Sequence, residues 1–214
     1  MGLIRIVAEQ LRQPKGFLGK LAGHLMARMD KPSNEWAISL MNIQPHDHLL
    51  EIGFGPGMAI KQVSEIASNG FVAGIDFSET MLDQARKLNS SAIESGLVEL
   101  KYGEVSSIPY GDELFDKVFG INIMYVLPDL QKAIKEMWRV LKPRGQITFC
   151  MPEREFVDKR RRLAPEDIFI LHDLDEVLQM LTDAGFSEVR CEKATVGPGT
   201  WVCVLGEKSQ ATQS

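Results

Sequence analysis

Glu51, Gly53, Gly55 and Gly57 stand at alternate positions in Leu-Leu-Glu-Ile-Gly-Phe-Gly-Pro-Gly, where an apolar run beginning at Leu49 gives way to a segment of helical period. Alternate glycines let a backbone pass through positive φ and approach a ligand with no Cβ in the way. Behind a strand and ahead of a helix, such a turn places a bound group in the sheet crevice, against a helix N-terminus. The spacing limits which group. A dinucleotide fingerprint needs a small residue at its sixth position, where Met58 stands, and the Gly-Lys-Ser/Thr ending of a phosphate-cradling loop is absent. A second apolar run, Gly70 to Ile75, ends in Asp76, about twenty residues further on, where Rossmann-like folds put the acid that accepts two ribose hydroxyls. Asp76 also has a purely structural reading as a helix cap, but Ser78 is placed to cap the helix expected from Glu79 to Leu88.

A third strand-like run, Val98 to Tyr102, leads into Gly103-Glu104-Val105, then Ile108-Pro109-Tyr110 and Phe115-Asp116-Lys117-Val118. Glu51-x-Gly53-Phe54-Gly55-x-Gly57, the segment Asp76-Phe77-Ser78-Glu79-Thr80-Met81-Leu82 and this series together resemble the ordered motifs of the class I S-adenosylmethionine (SAM)-dependent methyltransferases. The resemblance covers roughly residues 49 to 150 and is nearest to the quinone-biosynthesis branch, although that branch's N-terminal signatures are missing. It implies SAM as cofactor and S-adenosylhomocysteine as product. It implies further that Glu51, the loop from Gly53 to Gly57 including Phe54, Asp76, Phe77, Ser78, Met81, Gly103, Glu104, Val105 and Asn122 surround the cofactor. In that pattern Met81 lies on the adenine face, though a helix packed on a sheet would use Met there anyway. Glu104 stands where the family has Asp, a longer arm for the same acceptor. Asn122-Ile-Met-Tyr125 shares its spacing with the Asn-Pro-Pro-Tyr of amine-methylating nucleic-acid enzymes but lacks both prolines, so that activity is not carried over.

These residues require strands that deliver them at one end of a sheet. Apolar runs alternating with helical segments predict a doubly wound parallel sheet; the resemblance makes it Rossmann-like and seven-stranded, mainly parallel with the last strand antiparallel. A strand from Lys117 to Ile121 delivers Asn122, Met124 and Tyr125; Tyr125 is the candidate catalytic residue, with pocket wall as its alternative role. A helix Leu130 to Val140, a type I turn with Pro143 at its second position and Arg144 next, and a strand Gln146 to Cys150 follow. Asp173 and Gly185 bound a last helix ahead of a strand pair, Glu188 to Lys193 and Thr200 to Leu205.

With 214 residues and 44% apolar content, one compact unit is expected, residues 45–214, preceded by a helical lid over residues 1–44. In the lid, Phe17 to Met29 reads as a helix and Ser33 as the cap of another, Glu35 to Met41. Leu3, Ile4, Ile6, Val7 and Leu11 recur at helical spacing among Arg5, Arg12, Lys15 and Lys20. That face either folds over the active site or lies on an anionic membrane. The basic run Lys159 to Arg162 reads as a solvated face or as a clamp for an anionic substrate. A net charge of −5 argues against nucleic-acid binding. Cys150, Cys191 and Cys203 are too few for a disulfide framework and read as buried free thiols, which points to the cytoplasm. His46 and His48 flank the wrong end of the first strand and His24 and His172 are isolated, so no metal site is expected. Three functions follow: methyl transfer to O, N, C or S of a small molecule, transfer to a lipid or membrane quinone, or cofactor binding without turnover.

Overall fold

The computed structural model describes residues 9, 12–153, 170, 172–197 and 199–210, with the side chains at 22 and 24–29 excepted. Helices α1 (Gly16–Met29) and α2 (Lys31–Leu40) precede β1 (His48–Ile52), α3 (Met58–Ile66), β2 (Phe71–Asp76), α4 (Glu79–Leu88), α5 (Ser90–Glu94) and β3 (Val98–Tyr102). Then come β4 (Phe115–Ile121), α6 (Leu130–Val140), β5 (Leu141–Pro152), α7 (Leu174–Asp183), β6 (Phe186–Val196) and β7 (Gly199–Lys208). The strands form one sheet in the order β3-β2-β1-β4-β5-β7-β6. The β1 to β5 ladders are parallel, and β7 runs antiparallel to both β5 and β6. Strand order reverses between β1 and β4, which opens a crevice at their carboxyl ends.

Alternation along the strands divides the core between the two faces of the sheet. Leu50, Val118 and Phe149 pack with Ile134 and Met137 of α6 and with Val177 of α7. Leu49, Phe119 and Cys150 pack with Met41, Ile60 and Val63 beneath α2 and α3. The helices start where side chains can cap them. Ser78 Oγ accepts from the Met81 amide at 3.3 Å, the Asp129 side chain accepts from the Lys132 amide at 2.9 Å, and Asp173 with Glu176 makes a reciprocal capping box.

Three expectations are corrected. Ser33 does not cap α2, which begins at Lys31 with Asp30 as N-cap; Ser33 is buried one turn inside, its hydroxyl donating to the Asp30 carbonyl at 2.8 Å. Pro32, which needs no amide donor, lets the helix start earlier. Arg144 has φ +66°, the left-handed value that a type II turn needs at its third position and a type I turn does not. Its turn forms a bulge within β5, where the pairing of β4 with β5 jumps from Phe115–Leu141 to Lys117–Gln146. Cys150 and Cys203 are disulfide-bonded rather than free, because the β5–β7 register sets them directly opposite one another. Cys191 is exposed, since β6 is the edge strand.

Among the described N-terminal residues, the chain from Gln13 to α1 is tied to the first turns of α4. Gln13 Nε2 donates to the Phe77 carbonyl, Ser78 Oγ to the Pro14 carbonyl and the Gly16 amide to Thr80 Oγ1. Further along, Gln84 Nε2 donates to the Lys20 carbonyl. The expected helix ahead of residue 9 and the basic run Lys159 to Arg162 lie outside the described residues.

Candidate functional site

At the carboxyl end of β1 the chain turns through Gly53, Gly55 and Gly57 with φ of +69°, +53° and +85°. The three glycines do different things. A Cβ on Gly53 would come within 2.7 Å of Ile123 Cγ2, just past β4, so this glycine lets the two switch-point strands close together. One on Gly57 would meet Ala85 Cβ at 2.7 Å, so close helix packing is made here, between the start of α3 and α4, and not at Met58. One on Gly55 would have no atom within 4 Å, leaving its backbone facing open space. That is a cradle a ligand can enter. Phe54 is buried and packs over Gly74 of β2, which anchors the loop.

Asp76 couples this loop to the next one. Its Oδ2 accepts from the Gly55 amide and its Oδ1 from the Ser78 amide, both at 2.8 Å. Each oxygen keeps lone-pair capacity for a second donor. Burial raises its pKa to about 6, with the two amides working against the rise. Glu51 is buried deeper, and Oε2 has no hydrogen-bond partner. Desolvation, then repulsion from Asp76, lifts its pKa to about 8, with only the Ile60 backbone opposing. Two buried carboxyl groups lie beside a glycine cradle, one with an unsatisfied oxygen, and a bound cationic donor would both satisfy that oxygen and favour the ionised forms.

The remaining predicted residues are only partly gathered. Met81 is fully buried, the Gly103 amide donates to the Asp76 carbonyl at 3.1 Å, and Val105 opens a short 3-10 turn. Phe77 is half-buried, with its carbonyl held by Gln13. Glu104 is exposed, and its carboxylate accepts from Ser106 Oγ at 3.4 Å. Asn122 follows β4 with φ +62°, tied by its amide to the Cys150 carbonyl at 2.7 Å. Its Nδ2 donates to Asp30 Oδ1 at 3.4 Å, joining the end of α1 to the crevice, and its Oδ1 accepts from the Tyr125 hydroxyl at 2.6 Å.

Beyond the 7%-exposed Tyr125 lies a cavity of about 480 Å³, bounded by Met124, Met151, His172, Leu174 and Val202. Sequence reading passed over His172 as isolated; the fold brings it to Tyr125, because the Ile170 amide donates to the Tyr125 carbonyl at 2.7 Å. The separation of 47 residues between Tyr125 and His172 leaves no local spacing signal for this pair. Among the described residues no three His, Cys, Asp or Glu side chains cluster as metal ligands do. None of the described helices is long and apolar enough to cross a membrane.

The family described as "Methyltransferase domain" matches residues 50–149, which span β1 to β5. Over 191 residues the chain is 30% identical to the uncharacterized methyltransferase YdaC of Bacillus subtilis, an alignment covering 88% of this chain and 98% of that protein. It is 37% identical over 112 residues to the demethylmenaquinone methyltransferase of Listeria monocytogenes, covering 51% of this chain but only 46% of that one. The fold matches the phosphoethanolamine N-methyltransferase 2 of Haemonchus contortus, solved with S-adenosyl-L-methionine, at a TM-score of 0.69 and 17% identity, covering 83% of this chain and 52% of that one. A switch-point crevice with a glycine cradle and buried acids, in a chain matched over 88% of its length by a methyltransferase relative, places the chain in the class I SAM-dependent methyltransferase family.

Proposed function

We propose that the chain methylates O, N, C or S of a small-molecule acceptor by in-line displacement without a metal. The observation that supports this most is the adjacency of two compartments across Tyr125: a crevice suited to SAM and a walled cavity of about 480 Å³, within the range of metabolite sites. In this reading Glu51, Gly53, Phe54, Gly55, Gly57, Asp76, Phe77, Ser78, Met81, Gly103, Val105 and Asn122 hold the cofactor. Glu104 reaches its adenine only by swinging off Ser106. SAM supplies a methyl group already activated on a sulfonium. The protein's share is to orient the acceptor and exclude water. Calorimetry with SAM, S-adenosylhomocysteine and NAD, followed by methyl transfer across a metabolite panel, tests the reading. Binding of SAM with no transfer to any soluble acceptor would overturn it in favour of a protein that binds the cofactor without turnover.

A second reading, methylation of a lipid or membrane quinone, is favoured by one feature. On α1, Phe17, Leu18 and Leu21 are 82%, 56% and 62% exposed, beside the exposed Lys15 and Lys20. Apolar side chains among cations suit an anionic bilayer surface. The quinone-related name of the Listeria relative points the same way. Co-sedimentation with anionic liposomes decides: loss of binding in Phe17→Ser/Leu21→Ser supports surface attachment, and no binding by the wild type removes it.

A further inference from the structure

At the far end of α4 a buried side chain reaches back to the glycine cradle. Asn89 is 3% exposed and closes α4, its backbone amide donating to the Ala85 carbonyl at 2.9 Å. It also stands at the N-cap of α5, where an asparagine ordinarily turns its Oδ1 to the helix amides. Here α5 has no side-chain cap, and the buried Oδ1 has no hydrogen-bond partner among the described residues. The side chain is turned the other way. Its Nδ2 donates to the Gly57 carbonyl at 3.1 Å and to the Ala85 carbonyl at 2.9 Å. Both partners are carbonyl oxygens, so only the nitrogen can face them. An acceptor left unserved in the core is costly, and the cap of α5 has been given up for the bond to Gly57.

That bond holds the exit of the cradle. Gly53 and Gly55 are pinned from β2, the Gly53 amide to the Ile75 carbonyl and the Gly55 amide to Asp76 Oδ2, each at 2.8 Å. Gly57, left-handed at the N-cap of α3, is seated on the last turn of α4: a Cβ there would stand 2.7 Å from both Ala85 Cβ and Asn89 Nδ2. Its carbonyl receives Nδ2 beside the Lys61 amide, which donates at 3.1 Å, so one oxygen fixes both the loop and the start of α3. In that first turn the Ile60 backbone hydrogen-bonds Glu51. Helix α4 thus braces the crevice at both ends, with Ser78 and Met81 at its start and Asn89 at its finish. We propose that Asn89 is a positioning residue for the cofactor: through Gly57 it sets where the Gly55 backbone and the first turn of α3 stand. It acts from within the core, with the ten residues of α4, roughly 15 Å of helix, between it and Ser78. The proposal rests on the reading of the crevice as the SAM site and adds to it a residue that lines no part of the crevice.

Asn89→Ala tests this. The Gly57 and Ala85 carbonyls keep their backbone donors, the amides of Lys61 and of residue 89, and the unserved Oδ1 leaves together with Nδ2, so the fold should persist. SAM and S-adenosylhomocysteine should bind the variant roughly threefold to tenfold more weakly by calorimetry, the size of one neutral hydrogen bond. In NMR spectra of ligand-free protein labelled on glycine nitrogen, the Gly55 and Gly57 amide signals should move, while those of Gly145 on β5 and Gly206 on β7 stay in place. Asn89→Asp keeps the shape of the side chain but turns an acceptor toward the Gly57 carbonyl, and should weaken SAM binding further than Asn89→Ala does. One measurement needs no variant: SAM added to the wild type should shift the signal of the Asn89 side-chain amide group. A folded Asn89→Ala chain that binds SAM as tightly as wild type, or an Asn89 side-chain signal that SAM leaves unmoved, overturns the proposal. A purely structural Asn89 would give that first result, with a lowered melting temperature and intact affinity. Wild-type calorimetry reports separately on the crevice: no SAM binding there overturns the site reading and the proposal together, whereas binding that survives Asn89→Ala overturns the proposal alone.

Discussion

On the two sides of Tyr125 the molecule makes its binding surfaces from different materials. The crevice toward β1 and β2 is built of backbone: three glycines at positive φ, the amides of Gly55 and Ser78, and two carboxylates sunk in the core. The cavity toward β5 and α7 is built of side chains carried by β5, β6, β7, the residues ahead of α7 and its first turn. A backbone surface tolerates little change in sequence, because φ and a missing Cβ are properties of one residue type. A side-chain surface can be recut by any substitution that keeps the fold. Under the proposed function the cofactor belongs to the first surface and the acceptor to the second, and perturbing each side separately tests this.

The largest effect is expected at Gly55. Valine there must adopt φ near +53°, which β-branched residues avoid, and its methyls would enter the space a ligand needs. Since no protein atom stands within 4 Å of the new Cβ, the fold should survive. SAM affinity should fall by more than about a hundredfold, read by calorimetry, with the melting temperature lowered by roughly 2–8 °C for about 1–2 kcal/mol of backbone strain. Normal SAM binding by this variant would break the claim that the crevice is made of backbone.

Asp76→Ala comes next. Removing hydrogen bonds to a charged acceptor costs about 1.5–3 kcal/mol, roughly a tenfold to hundredfold loss of SAM affinity. The structure adds a second consequence: the Gly55 and Ser78 amides lose their partner, so thermal stability should drop too. A variant with lowered stability and intact SAM affinity would reduce Asp76 to a loop brace.

Why one side of Tyr125 could be read from sequence and the other could not follows from chain separation. Glu51 to Gly57 is contiguous, and Asp76 and Ser78 lie one strand further on, so local spacing carries the cradle, its acid and the α4 cap. Helix α6 was legible because Leu130, Ala133, Ile134, Met137 and Val140 are buried at helical spacing over eleven residues. The Cys150–Cys203 bond depends on antiparallel register across 53 residues, and the meeting of His172 with Tyr125 on a single loop hydrogen bond. Neither leaves a periodic trace. Arg144 shows a different failure: composition favoured a turn without positive φ, and the bulge that β5 needs to stay in register with β4 overrode it.

Glu51 sharpens the comparison by pH. Its folded pKa of about 8 lies above the ordinary 4.5, so the folded chain holds a proton that the unfolded chain releases between those values. Stability from this group is therefore full below about 4.5 and is lost as pH rises toward about 8. In the absence of SAM, Glu51→Gln should melt several degrees above wild type near pH 8 and show little difference near pH 5, on the scale of roughly 2–4 °C per kcal/mol. A bound cation favours the ionised carboxylate, so SAM binding to wild type should release a proton and strengthen with pH, and in Glu51→Gln it should lose that dependence. Calorimetry in two buffers of different ionisation enthalpy counts the proton. No proton release in wild type would mean that the positive charge of SAM lies away from Glu51.

The smallest effect is expected at Tyr125, on the boundary itself. Tyr125→Phe keeps the ring that walls the cavity and removes only the hydroxyl donated to Asn122 Oδ1. Asn122 would lose one restraint on its left-handed backbone but retain its amide bond to the Cys150 carbonyl and the longer contact to Asp30. A neutral hydrogen bond is worth about 0.5–1.5 kcal/mol, so turnover should fall roughly threefold to tenfold through looser alignment. SAM affinity should hold, since Gly55 and Asp76 do not touch the hydroxyl. A tyrosine acting as the proton acceptor would give a different result, a loss on the order of a hundredfold or more with a new pH limb. Measuring kcat and the SAM dissociation constant for this one variant therefore separates a wall from a base. A large loss confined to kcat would move the chemistry onto Tyr125 itself.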